Sequence, residues 1–372
     1  MRKILVLCAL SLSLAFAQDF VMGINFDAGG KFDGSFNQGT WTGFTQAIEE
    51  LSADYDIEAL EFEGTPDTFA NGLRNMAGQG ADLIVAPGFA QSDAIQGISG
   101  EFPDTNFVLI DSVADNANVR SVLFREHEGS FLVGYIAGSL SQTGVVGFVG
   151  GMDIPLIHKF NLGYEEGVLR ACPECKVISN YVGVTPSAWN DPAKAKELAT
   201  LQHGQGADII YAAAGASGNG VIDFIKENMC YSADSLGISL RTTSLTSAVA
   251  SAAKSAAYTE KCGADAQPLF FIGVDSNQNP AGDTDGDAAT LNHGLTSMLK
   301  RVDVAAYNGV YDVVNGTFSG GIQSLGLAED GVGYAVDEYN SALIDEALIL
   351  ELNLIRDSII SGDIVVTDYT AQ

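Results

Sequence analysis

Short apolar runs of strand character recur along this chain, each followed by a turn and then by a stretch whose apolar residues have helical spacing. Runs at 21–26, 57–62, 82–87, 106–111, 119–125, 145–150, 176–182, 208–213 and 269–274 read as strands, with amphipathic helices between most of them. Strands that are apolar throughout belong to parallel sheets buried on both faces, so the alternation predicts an α/β fold with helices on each side. The number of strand–helix units in 372 residues exceeds one comfortable sheet, and two doubly wound domains fit better. Ligands of such sheets sit at the carboxyl ends of the strands, so two domains facing each other make a cleft. Polar or flexible residues do follow the strands: Asp27, Asp111, Gly215 and Asp275. The crossing between domains is expected near Arg125 to Gly129, with a second just after 269–274.

The run Ile24 to Gln38 is the richest in ligand-binding residue types. Its three glycines permit the left-handed turns of a tight loop, and Ser35 can cap a helix starting near Phe36. Asp27, Phe36 and Asn37 then offer a carboxylate, an aromatic plane and an amide. The same spacing also suits an ordinary strand–loop–helix connection. Trp189, in Pro186-Ser187-Ala188-Trp189-Asn190-Asp191-Pro192, is a second aromatic of the same kind, or else a packing anchor for the helix that follows.

The amino end bounds where such a protein works. Arg2 and Lys3 precede an apolar run from Ile4 to Leu14 and then Ala15-Phe16-Ala17, which reads as a secretory signal peptide over 1–17 cut after Ala17. The run falls short of the roughly 20 residues of a membrane-spanning helix. Cys8 lies inside it behind Leu7, where a lipoprotein signal wants a small residue, so the expectation is an exported protein without a lipid anchor. The formal charge is −29, and a surface so acidic repels nucleic acid and anionic lipid. Four cysteines remain in the mature chain, an even number that in an exported protein implies disulfides. Cys172 with Cys175, and Cys230 with Cys262 at the base of a Ser/Ala/Thr-rich excursion over 229–266, is the favoured pairing; a four-thiolate zinc site is the alternative.

Catalytic signatures are missing. The four histidines stand apart, and there is no Gly-x-Ser-x-Gly elbow, His-Glu-x-x-His or phosphate loop. Gly215-Ala216-Ser217-Gly218-Asn219-Gly220 departs from dinucleotide-binding spacing. Asp283-Thr284-Asp285-Gly286-Asp287 lacks the later glutamate of a calcium loop and reads as an acidic turn. No metal or cofactor is expected.

Taken together, Asp27-Ala28-Gly29-Gly30, Asp33-Gly34-Ser35-Phe36-Asn37-Gln38, Gly150-Gly151-Met152, Lys159-Phe160, Gly163-Tyr164, Asn190-Asp191-Pro192-Ala193-Lys194, Ala213-Ala214-Gly215, Ile272-Gly273-Val274-Asp275 and Ser297-Met298-Leu299-Lys300 resemble the basic membrane protein family. Its members are purine-nucleoside receptors, the substrate-binding components of ABC importers. The resemblance runs in order from about residue 20 to 365. It implies a type I periplasmic-binding-protein fold, with residues 18–126 plus about 277–300 in an N-terminal lobe and 127–276 plus about 301–372 in a C-terminal lobe. It implies further that Phe36 stacks on a base whose edge meets Asp27 and Asn37. Asp111, Gly215, Asp275 and Lys300 would surround the ribose, and Trp189 would close the other side. The expected protein is a monomer and not an enzyme, which binds guanosine, adenosine or inosine and hands it to a permease. Two alternatives stay open: a nucleoside sensor feeding a receptor kinase, and a binding protein for another sugar-bearing molecule. The 229–266 insertion has no counterpart in shorter relatives and leaves base preference open.

Overall fold

The computed structural model describes residues 19–263 and 265–371. The expected signal peptide lies outside them. The chain opens with β1 (Asp19–Phe26), α1 (Phe36–Leu51), β2 (Asp56–Glu63), α2 (Phe69–Gly78), β3 (Leu83–Pro87), α3 (Ser92–Glu101), β4 (Asn106–Ile110) and β5 (Val119–Phe124). It crosses to a second lobe with α4 (Glu126–Leu140), β6 (Val145–Met152), α5 (Pro155–Ala171), β7 (Lys176–Gly183), α6 (Pro192–Gly204), β8 (Ile209–Ala213) and α7 (Gly218–Asn228). An excursion follows: β9 (Cys230–Tyr231), α8 (Ala233–Leu236), α9 (Ser244–Ser251), α10 (Ala256–Lys261) and β10 (Gln267–Pro268). The second lobe resumes with β11 (Phe270–Asp275) and β12 (Gly294–Lys300). Then α11 (Val302–Val314) and β13 (Gly321–Leu325) return to the first lobe, and β14 (Val332–Tyr334) and α12 (Glu346–Ser361) finish in the second.

The first sheet has the order β13-β5-β4-β3-β1-β2 and is parallel throughout. The second has the order β14-β12-β11-β8-β6-β7, parallel except for the edge strand β14. In β3 the strand period of two is visible as a division between two cores. Leu83 and Val85 pack toward α1 and α11, while Ile84 and Ala86 pack toward α2 and α3. In the second lobe Phe148 and Tyr211 face the α4–α5 side and Val149, Ile210 and Ala212 face α6 and α7. Each sheet is therefore buried on both faces, which is why its strands read as unbroken apolar runs.

Two expectations about chain division need correction. Residues 277–300 do not join the first lobe: β12 pairs with β11 and β14 inside the second sheet. Residues 301–325 do not join the second: α11 packs on α1, and β13 extends the first sheet beside β5. The crossings therefore fall at Arg125, at Arg301 and at Gly326. The first and third are tied to each other, since Arg125 N–H donates to the Leu325 carbonyl at 2.8 Å and Leu327 N–H to Glu128 at 2.8 Å.

The four described cysteines are paired Cys172–Cys175 and Cys230–Cys262, which leaves no four-thiolate site. The excursion is more than a surface loop. Leu245, Val249 and Tyr258 are buried in the main core, and Arg241 donates to the carbonyls of Gly138 and Ser141 at the end of α4. The acidic turn at 283–287 is folded on itself: Asp283 accepts the N–H groups of Asp285 and Gly286. Among the described residues no helix is long and apolar enough to cross a membrane.

Candidate functional site

The carboxyl ends of both sheets point at one space between the lobes. A cavity lies there, with about 60 Å³ open to the centre of a water-sized sphere. From the first lobe β1 delivers Asp27, β3 delivers Gly88 and Phe89, β4 delivers Asp111, and the start of α1 delivers Phe36 and Asn37. From the second, β8 delivers Ala213 and Gly215, β11 delivers Asp275, β12 delivers Lys300, and α5 delivers Leu156, Ile157 and Phe160. Trp189 reaches in from a short turn at Pro186–Trp189. All eight residues expected to contact ligand line this one cavity.

The loop between β1 and α1 is held by a residue that the sequence reading passed over. Asp33 accepts the N–H groups of Ser35, Asn37 and Gln38 at 2.9–3.1 Å and the Asn37 amide at 3.1 Å. It thus takes the orphan donors of the helix start. Ser35 holds the cap position but does not cap; its hydroxyl donates instead to Asp275 across the cleft at 2.6 Å. Asn37 is fully buried, and its oxygen accepts the Asp27 N–H at 2.9 Å, so it shapes the loop as well as facing the cavity.

Two aspartates end corresponding strands of the two sheets in the left-handed region, Asp111 at φ 70° and Asp275 at φ 63°. A non-glycine residue held there carries backbone strain, and such residues cluster at functional sites. Glycine is required at Gly88, where φ is 107° and an added Cβ would lie 2.5 Å from the Asp27 carboxyl.

Under the cavity runs a buried ion network. Lys300 Nζ lies 2.6 Å from Asp111 and 3.2 Å from Glu126, and Lys159 Nζ lies 2.5 Å from the other oxygen of Glu126. Lys159 also donates to the Phe124 carbonyl at 2.7 Å. Burial would lower the Lys300 pKa, but Asp111 and Glu126 hold it well above the ordinary lysine value. Burial would raise that of Glu126, and Lys300 and Lys159 outweigh it and hold it low. All members of this network except Asp111 belong to the second lobe, so it joins the lobes as well as stabilising charge. Lys300 also sits 5.2 Å from the ring centroids of Phe36 and Phe124 and 5.5 Å from that of Phe160.

The other carboxyls have no such neutralising partner. Burial pushes Asp27 up to about 6, opposed by the N–H of Ala28 and reinforced by Asp111 and Asp33. Burial pushes Asp275 up to about 7 against the pull of Lys300 and the Ser35 hydroxyl. One oxygen of Asp111 is buried without a hydrogen-bond partner. The site therefore offers acceptors in excess, in a cavity that Phe36 and Trp189 also line. It suits a neutral molecule with several O–H or N–H donors and a flat face, and it opposes an anion.

Trp189 is seated on glycine. A Cβ at Gly151 would lie 2.2 Å from the indole, so no side chain fits beneath it. Gly151→Ala is expected to displace Trp189 and shift the tryptophan emission maximum, to which only Trp41 and Trp189 contribute. An unchanged spectrum would contradict the close seat.

Beyond the eight, Asp33, Gly88, Phe89, Leu156, Ile157, Phe160, Glu126 and Lys159 form the cavity wall or the charges under it. Glu126 was accessible in principle: it is the first helical residue after β5, the same strand-end position that marked Asp111.

Known proteins resemble this chain along most of its length. The family model for ABC transporter substrate-binding proteins of the PnrA-like (Bmp) type matches residues 21–369. A protein of Listeria monocytogenes called CD4+ T-cell-stimulating antigen is 29% identical over 361 residues, covering 95% of this chain and 89% of that one. The ABC transporter nucleoside-binding protein BmpA of Lactococcus lactis is 28% identical over 345 residues, covering 92% and 88%. Among solved structures, an ABC transporter solute-binding protein of Aeropyrum pernix superposes with a TM-score of 0.71 at 26% identity, covering 95% and 96%.

Proposed function

The chain belongs to the PnrA-like (Bmp) family of ABC transporter substrate-binding proteins, which are not enzymes, and from that premise we propose that it binds a purine nucleoside between its lobes for import. The observation that carries this reading is the pairing of aromatic faces with unneutralised buried acceptors in one interlobe cavity. Phe36 stacks on the base, with Trp189 across from it, and Asp27 and Asn37 meet the base edge. Asp111, Asp275, Lys300 and the Gly215 backbone surround the ribose hydroxyls. Closure is favoured to the extent that the ligand binds the closed arrangement better than the open one, and the closed form is what a permease engages. In this reading the protein is exported and acts as a single copy. A nucleoside-binding relative supports the ligand class.

Calorimetry with protein stripped of ligand tests it. Guanosine, adenosine or inosine is expected to bind, and the corresponding monophosphates are not, because their charge meets the carboxyls. Failure of all three nucleosides to bind would overturn the proposal. The pH dependence has a definite sign. Asp275 and Asp27 take up protons near 7 and 6 in the free protein, whereas a ribose hydroxyl donating to Asp275 and a base N–H donating to Asp27 favour the ionised forms. Their pKa values fall on binding, so affinity rises with pH between 5 and 7, by at most about tenfold per unit for each carboxyl. Binding at pH 6.5 should release protons, seen as heats that differ between buffers of unlike ionisation enthalpy. Equal heats would remove both carboxyls from the contact.

A further inference from the structure

Next to the cavity, but outside it, the lobes are joined by contacts that involve no ligand. Three consecutive main-chain carbonyls ahead of α1 each accept a side-chain donor of the second lobe. Asn219 Nδ2 donates to Asp33 O at 3.4 Å, Gln278 Nε2 to Gly34 O at 3.0 Å and Ser276 Oγ to Ser35 O at 3.1 Å. None of Asn219, Ser276, Gln278 or Gly34 lines the cavity.

Both halves of this junction are rigid before they meet. On the first lobe, Asp33 ties down the amides of residues 35, 37 and 38, and Gly34 at φ 72° turns its peptide toward Gln278. On the second, Gln278 is 8% exposed; its oxygen accepts the Val274 N–H at 2.9 Å, and its own N–H donates to the Ser297 hydroxyl at 2.9 Å. Ser297 donates in turn to Asn279, whose amide donates to Asp337. The Gln278 donor is thus presented at a fixed position, so little of its side-chain entropy remains to be lost when the lobes close.

We infer that the 33–35 carbonyls and the donors Asn219, Ser276 and Gln278 form a ligand-independent clasp that sets how much of the free protein is closed. These side chains are positioning residues: they act on affinity through the population of the closed state, since the apparent Kd scales inversely with the competent fraction. The affinity arm of the test rests on the nucleoside reading; the conformational arm does not.

The mature chain has all its cysteines in disulfides, so spin labels can be attached at Asp93→Cys in α3 and Glu197→Cys in α6, both exposed. Without ligand, the labelled protein should show a short interlobe distance that loses population in Gln278→Ala. That variant also strips the buried Val274 N–H of its partner, so Asn219→Ala/Ser276→Ala is the companion, as these two side chains make no other hydrogen bond among the described residues. Guanosine affinity should fall about 2- to 12-fold for each lost bond, with the cavity unaltered. Unchanged ligand-free distance distributions in both variants would overturn the clasp, whether or not guanosine binds. Shifted distances with unchanged guanosine affinity would overturn its role in binding.

Discussion

Lys300→Ala should cost the ligand-free protein about 3–5 kcal/mol, more than any other single truncation around the cavity. Lys300 is 2% exposed and stands between Asp111 at 2.6 Å and Glu126 at 3.2 Å. Its removal leaves those two carboxyls with Lys159 alone, a net negative charge in a region closed to water. The loss is read as a drop in the urea midpoint at pH 7.5. Lys300→Met with Asp111→Asn removes one charge of each sign, keeps the Glu126–Lys159 pair and should recover the larger part. If Lys300→Ala and wild type unfold at the same midpoint, the network contributes nothing to stability. A loss that the double variant does not repair would assign it to packing against Phe36, Phe124 and Phe160 instead.

Phe36→Ala should lower the midpoint less than Lys300→Ala and weaken guanosine binding about 5- to 150-fold, the effect of a lost stacking partner worth about 1–3 kcal/mol. The ring is half-buried at the start of α1, where it packs against the main core and lines the cavity, so its removal costs some folding energy as well as ligand contact. Phe36→Trp should retain most of the affinity, because any flat ring can stack. Affinity within twofold of wild type in Phe36→Ala would remove the base from this ring, and with it the orientation of ligand proposed above.

Much of this architecture was legible because burial on both faces leaves a strand little room for polar residues. The runs at 21–26, 82–87, 106–111 and 208–213 all show it. β12 was missed for the opposite reason. Its Gly294-Leu-Thr-Ser-Met-Leu-Lys300 sequence carries two hydroxyls inside a buried strand, which satisfy themselves by bonding to Ala335 O and Asn279 Oδ1. Nothing local announces such partners. β13 is an exposed edge strand, Gly321 to Leu325, without an apolar side to read. These two omissions produced the misassigned lobes, since the chain changes lobe at the ends of both strands. In the site, the strand-end rule placed Asp27, Asp111, Gly215 and Asp275 at the cavity. Asp33 and Glu126 escaped because an acidic residue near a helix start is commonplace, and Lys159 because one lysine on a helix is usually solvated.

The route of the chain between the lobes also bears on how the molecule comes into being. The first sheet lacks an edge until β13, at residues 321–325, reaches β5, and the second until β14, at 332–334, reaches β12. Neither lobe can be finished while the ribosome still holds the last third of the polypeptide, and β13 must pair with a strand made about two hundred residues earlier. Contacts of such long sequence separation form slowly. In a chain of this design neither sheet gains its final edge strand until residues 321–334 have been made.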